Sequence, residues 1–194
     1  MERALTLVFG GQKGGVGKST QTTNFAVQFA TEGADVLIID TDPQRTSVRW
    51  FDRRAENVQD NTSLKINVFS KEGSVRETIK DSSRRYDVVL VDAAGHDNKA
   101  LRESLILCDK FIFPLRPSQA DLETIPYLVS LIDPAKDMNE KLQSFCLLSM
   151  VPTHIFNDEY KNAREVMSSD SFSLIQTPIK DRKIYREAFL AGLG

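Results

Sequence analysis

The segment Gln12-Lys13-Gly14-Gly15-Val16-Gly17-Lys18-Ser19-Thr20 follows an apolar run from Ala4 to Gly10 and opens a helical pattern. Glycines at 14, 15 and 17 let successive backbone N–H groups converge on one anion, and the first turn of the next helix adds its positive dipole end. Lys18 is then placed to reach the β- and γ-phosphates of a nucleotide, and the Ser19 hydroxyl is placed to bind Mg²⁺. The usual G-x-x-x-x-G-K-[ST] pattern needs glycine at position 12, where this chain has Gln12 followed by an additional lysine, Lys13. Two further segments end apolar runs in acid: Val36-Leu37-Ile38-Ile39-Asp40-Thr41-Asp42-Pro43-Gln44, and Val88-Val89-Leu90-Val91-Asp92. Carboxylates at such positions hold Mg²⁺ directly or through water, or orient a water that attacks the γ-phosphate.

These groups need a scaffold that brings the ends of separate strands together. Short β-type runs are expected at Leu5 to Gly10, Val36 to Asp40, Ile66 to Phe69, Val88 to Asp92, Phe111 to Leu115, Phe145 to Met150 and Ser173 to Ile175. Most are apolar throughout, as a parallel sheet covered on both faces requires. Helical patterns lie between them, near Lys18 to Glu32, Ser47 to Asn57, Ser74 to Ser83, Lys99 to Leu107, Leu122 to Ile132, Asp158 to Ser168 and Arg182 to Ala191. Gly33 suits the left-handed position that ends the first. The alternation predicts an α/β, doubly wound, mostly parallel sheet with helices on both faces, whose ligands sit at the carboxyl ends of the strands; the glycine-lysine turn after its first strand resembles that of a P-loop NTPase.

Composition narrows the classes. A chain of 194 residues with 41% hydrophobic content buries one core, so residues 1–194 are expected to form a single domain. With 27 acidic and 25 basic residues the net charge is −2, and any nucleic-acid contact needs a local patch. Cys108 and Cys146 lack C-x-x-C spacing and sit in apolar contexts, which argues for buried small hydrophobes in a reducing compartment and against a metal cluster. No signal-like start and no run of membrane-spanning length is present, so a cytoplasmic location is expected.

Lys13-Gly14-Gly15-Val16-Gly17-Lys18-Ser19 resembles the deviant Walker A motif (K-G-G-x-G-K-[ST]) of the ParA/MinD family, and Asp40-Thr41-Asp42-Pro43-Gln44 resembles its D-x-D-P-Q motif. Asp92 takes the Walker B position. The likeness runs over nearly the whole chain and is nearest to the small ParF-type plasmid partition branch, including Ser47 and Trp50 soon after the acidic motif; for Trp50 itself, burial is the expected role. The resemblance implies an ATPase with ATP and Mg²⁺ as cofactors, slow without its partner. It implies catalytic roles for Lys13, Lys18 and Asp42, with Lys13 reaching across a homodimer to the other nucleotide and Asp42 positioning the water. Gly14, Gly15, Val16, Gly17, Ser19 and Thr20 complete the phosphate site, and Ser19, Asp40 and Asp92 serve the metal.

The same resemblance assigns Ala93-Ala94-Gly95-His96 to a nucleotide-sensitive loop, gives His96 no role as a base, and places Phe111 to Leu122 at dimer contacts. It sets Thr177 to Ala188 beside the adenine. Leu148-Ser149-Met150-Val151 stands where many relatives carry an asparagine-arginine pair, so Met150, Pro178 and Ile179 are the expected base contacts. Lys180, Arg182, Lys183 and Arg186 form a late basic cluster suited to DNA phosphates without sequence reading. The implied function is DNA partition by an ATP-dependent sandwich dimer on nonspecific, nucleoid DNA, with hydrolysis stimulated by a ParB-like centromere-binding protein. A MinD-like regulator that positions a membrane or protein cargo is the alternative. The basic amphipathic tail of MinD-type proteins is missing here, so no stable membrane association is expected. A metallocluster or metabolic enzyme on the same fold is disfavoured by the cysteine contexts.

Overall fold

Apolar, β-branched runs pair into one sheet because both of their faces can be covered by helices. The computed structural model describes residues 3–58, 64–153, 158–167 and 169–194. Its strands are β1 (Leu5–Phe9), β2 (Val36–Asp40), β3 (Ile66–Ser70), β4 (Val88–Asp92), β5 (Lys110–Leu115), β6 (Gln143–Leu148) and β7 (Ser173–Leu174). They form a parallel seven-stranded sheet in the order β3-β2-β4-β1-β5-β6-β7. The helices are α1 (Lys18–Thr31), α2 (Thr46–Asn57), α3 (Arg76–Ser82), α4 (Lys99–Leu107), α5 (Gln119–Leu122), α6 (Ile125–Met138), α7 (Asp158–Val166) and α8 (Lys183–Leu190).

Every residue of β2 and β4 is buried, as their unbroken apolar runs require. Alternate residues feed two cores. Leu7, Phe9, Ile38 and Leu90 pack with Ala26 and Ala30 of α1 and with Trp50 of α2. Val8, Leu37, Ile39, Val89 and Val91 pack on the other face with Ile79, Leu101, Leu105, Leu128 and Ile132. Trp50 is fully buried, as its expected anchoring role requires. Cys108 and Cys146 are likewise buried in the second core, and burial pushes both thiols well above their ordinary pKa. Gly33, at φ 96°, ends α1 and donates to Ala30 O at 3.0 Å.

The one helix expected over Leu122 to Ile132 is two helices. Ser118 Oγ donates to Asp121 Oδ2 at 2.6 Å and Thr124 Oγ1 donates to Asp121 O at 2.6 Å, closing the single turn of α5. A new helix then starts at Ile125, with Pro126 in its first turn, where a missing N–H costs nothing. It runs through Pro134 to Met138. Ser130 and Pro134 both lie on its exposed side, so water can satisfy the Ser130 carbonyl that loses its partner. The expected helix end at Ser168 lies outside the described residues.

The register aligns the chemistry. Phe9 at the end of β1 and Asp40 at the end of β2 both sit opposite Asp92 of β4. The connection from β1 into α1 leaves the sheet at that same carboxyl edge, near the middle of the strand order, where doubly wound folds bind their ligands.

Candidate nucleotide site

The glycine-rich turn leaves β1 and caps α1 at Gly17, whose φ of 97°, like the 68° of Gly15, is left-handed and favours glycine. No acidic residue occupies the first turn of α1, so its positive end is free for an anion. Two distant segments brace the turn. Ser149 Oγ, just beyond β6, donates to Val16 O at 2.9 Å, and Arg116 Nη2, just beyond β5, donates to Gly15 O at 2.7 Å. Lys18 is 8% exposed and its Nζ donates to Lys13 O at 2.8 Å. Burial lowers its pKa, while the charges of Asp92 and Asp42 oppose the shift.

A cavity of about 360 Å³ opens at this edge, lined by the glycines of the turn, by Lys18, Ser19 and Thr20, and by Asp42, Gln44, Thr46, Gly95, Met150 and Phe189. A Cβ on Gly95 would stand 3.3 Å from both Gly14 N and Lys18 Nζ, so the loop after β4 closes directly on the turn. Asp42 is half-buried, lines the cavity and accepts from Gln44 N at 2.9 Å, an arrangement that leaves its other oxygen for a ligand or water. The Lys13 side chain is half-buried and is not among the groups lining the cavity.

The two strand-end acids differ in what they do. Asp40 is fully buried and accepts from three backbone N–H groups, Asp42 at 3.1 Å, Ser47 at 2.9 Å and Val48 at 3.2 Å. It therefore caps α2. Desolvation raises its pKa against those three bonds. Asp92, 1% exposed, accepts from Ser47 Oγ at 2.7 Å through Oδ2, while Oδ1 has no hydrogen-bond partner among the described residues. Burial and the neighbouring Asp40 charge push its pKa up to about 7, opposed by Ser47, Ser19 and Lys18.

An unpartnered carboxylate oxygen beside the Ser19 hydroxyl suits Mg²⁺, which takes few protein ligands and fills its shell with phosphate oxygens and water. Among the described residues no group of three or more His, Cys, Asp or Glu side chains could hold a metal. Ser19 and Asp92 are the fitting donors. Asp40 Oδ2 is engaged by α2 and Oδ1 by Asp42 N, so its support is through the backbone it holds.

The late segment meets the same edge. Met150, in the left-handed region at φ 54°, lines both the large cavity and a crevice of about 50 Å³ bounded by Gly17, Ile179, Asp181, Arg182 and Tyr185. Of the three expected base contacts, Met150 and Ile179 line this crevice and Pro178 does not. Lys180, Arg182 and Arg186 line it too, so most of the basic cluster borders the crevice. The cluster is also partly neutralised. Lys183 pairs with Glu187 and Arg186 with Asp181, each at 2.6 Å, and Lys180 Nζ lies 5.4 Å from the Tyr160 ring centroid.

Sequence reasoning missed four contributors: Arg116, Ser149, Gln44 and Phe189. Gln44 stood inside a recognised motif and Ser149 beside a noted departure, but nothing local marks Phe189. It reaches the cavity because α8 and the residues after it are tied to α2: Trp50 Nε1 donates to Leu193 O at 3.0 Å, Arg54 Nη1 to Gly192 O at 3.0 Å, and Arg53 Nη2 to Phe189 O at 3.2 Å. His96 is exposed and lines a separate hollow with Glu72 and Lys99.

Comparison with known proteins agrees with this geometry. The family model described as ATPase MipZ matches residues 5–148. Protein ParA of Rhizobium radiobacter is 26% identical over 187 residues, covering 96% of this chain and 82% of that protein. Maintenance of carboxysome distribution protein A of Halothiobacillus neapolitanus is 25% identical over 194 residues, covering 99% and 87%. Among solved structures, a plasmid partition protein from Borrelia burgdorferi superposes with a TM-score of 0.67 at 16% identity, covering 98% of this chain and 97% of that one, a likeness of fold.

Proposed function

Since the chain belongs to the MipZ family of ATPases, within the ParA/MinD group, we propose that it is a ParA-like partition ATPase whose ATP-bound homodimer holds nonspecific DNA until a ParB-like centromere-binding protein stimulates hydrolysis. The observation that carries this reading is the convergence of Lys18, Ser19, Asp42 and Gly95 on one cavity at the carboxyl edge of the sheet.

In this reading the backbone of the glycine turn and Lys18 bind the β- and γ-phosphates, and Asp42 orients the attacking water. Ser19 and Asp92 would hold Mg²⁺, which would supply positive charge to offset that of the phosphates. Lys13, half-buried at the rim, serves the nucleotide of a second copy, and Met150 and Ile179 contact the base. ATP drives dimerisation only by binding the dimer more tightly than the monomer, and hydrolysis removes that bias. Arg182 and Lys180, with no ionic partner among the described residues, supply the DNA contact more readily than Lys183 and Arg186.

A second reading, positioning of a protein cargo, is favoured by the relative named for carboxysome distribution. Among the described residues no helix is long and apolar enough to cross a membrane. The discriminating experiment measures duplex DNA binding with ATP, with ADP and without nucleotide, alongside flotation with anionic vesicles. ATP-dependent, salt-sensitive DNA binding is expected. Flotation without DNA binding would replace this reading by a membrane-linked one, and binding to neither would favour a protein cargo.

A further inference from the structure

Ser47 is fully buried at the start of α2 and makes two contacts of different kinds. Its backbone N–H donates to Asp40 Oδ2 at 2.9 Å, and its hydroxyl donates to Asp92 Oδ2 at 2.7 Å. The first contact caps the helix. The second joins that helix to the acid at the end of a different strand.

A carboxylate that no fixed donor holds is free to rotate about its Cβ–Cγ bond. Fixing Oδ2 from the α2 side leaves Oδ1 buried and unpaired, next to Ser19. A buried unpaired oxygen costs free energy in the nucleotide-free protein unless a cation or donor arrives to use it. The backbone reinforces the link, because Thr41 N donates to Asp92 O at 2.9 Å and the connection from Thr41 to Thr46 leads straight into α2.

We propose that Ser47 is a positioning residue that orients the Asp92 carboxylate, keeping Oδ1 available to the Mg²⁺ that accompanies the nucleotide. The proposal rests on the nucleotide reading above and adds a residue whose hydroxyl touches neither nucleotide nor metal. Because the Asp40 contact is made by the backbone, Ser47→Ala removes the bond to Asp92 and leaves the helix cap in place.

The test is a Mg²⁺ titration of fluorescent ATP-analogue binding, with a parallel measurement in EDTA, on wild type, Ser47→Ala and Ser47→Thr. Removing a group that orients a metal ligand typically weakens metal affinity by about 10- to 100-fold. The Mg²⁺ midpoint of Ser47→Ala should rise by about 10-fold or more, its EDTA affinity should stay within about twofold of wild type, and Ser47→Thr should recover most of the midpoint. An unchanged midpoint, an equal loss in EDTA, or no recovery with threonine would overturn the proposal and leave Ser47 a structural residue. A wild-type chain that binds no nucleotide in either arm would instead remove the nucleotide reading, and this inference with it.

Discussion

The phosphate turn and the late segment border the same cavity but are held there in different ways. At the phosphate edge three charged groups have short connections within the site: Lys18 to the Lys13 carbonyl, Asp40 to three N–H groups of the α2 entry, Asp92 to Ser47. Beyond Thr177 most charges are exposed, and two pairs of them join each other, Lys183 with Glu187 and Arg186 with Asp181. A buried charge fixed by the backbone loses little entropy when a ligand arrives, whereas exposed pairs are worth little and rearrange readily. Tight, rigid recognition of phosphate therefore belongs to the first region. The second is adaptable, and the base and DNA contacts proposed for it would be weaker and more sensitive to salt.

The largest break in that comparison should come from Lys18→Ala. It removes a nearly buried cation facing the phosphates, and affinity for a fluorescent ATP analogue should fall by about 10³-fold. Lys13→Ala should bind the analogue as a monomer within a few-fold of wild type and lose the ATP-dependent dimer in sedimentation. Equal losses in the two variants would erase the distinction between a phosphate lysine and a lysine for the second copy.

Next in size is Asp42→Ala. Its effect should fall on turnover rather than binding, with hydrolysis slowed by about 10²- to 10³-fold and an ATP-bound dimer accumulating, because the water loses its positioning group. Wild-type turnover would move that role to another residue.

The Asp92 carboxyl gives a pH signature confined to the first region. Its folded pKa of about 7 lies above the ordinary value, so the nucleotide-free fold holds a proton there that the unfolded chain has released between about pH 4 and 7. Stability from this group is present below that window and is lost as pH rises through it. Thermal or urea unfolding from pH 5 to 8 should show wild type losing about 2 kcal/mol relative to Asp92→Asn. Parallel pH profiles for the two proteins would disprove the assignment.

The smallest effect sharpens the second region from within. Lys180→Ala with Arg182→Ala should flatten the logarithmic salt slope of DNA binding by roughly 0.9 per lost phosphate contact. Lys183→Ala with Arg186→Ala should flatten it less, since those cations already have carboxylate partners. Equal slopes would mean that the ion pairs open on DNA.

The contrast also explains what could be read in advance. The central strands were legible because a buried parallel strand must be apolar along its length, whereas the edge strands β3 and β7 are only partly buried; the phosphate turn was legible because its glycines, lysines and hydroxyl are contiguous. The helix expected over Leu122 to Ile132 starts later, at Ile125, and runs on to Met138, because Pro134 lies on the solvent side of α6, where it is tolerated.

The candidate site divides along the same line. The amino-acid order alone determined that Lys18, Ser19, Asp42 and Asp92 would meet at one sheet edge, since each stands at the end of, or just after, a strand of a parallel sheet. It did not determine which acid would be free. Asp40 and Asp92 look alike in the sequence, and the tertiary structure distinguishes them because α2 begins within reach of Asp40 and spends its first N–H groups there. Ser47 could be placed on Asp92, Ser149 on Val16, and Phe189 at the cavity only by the fold. Contacts across 45 to 133 residues arise from register and packing, and local spacing carries no information about them.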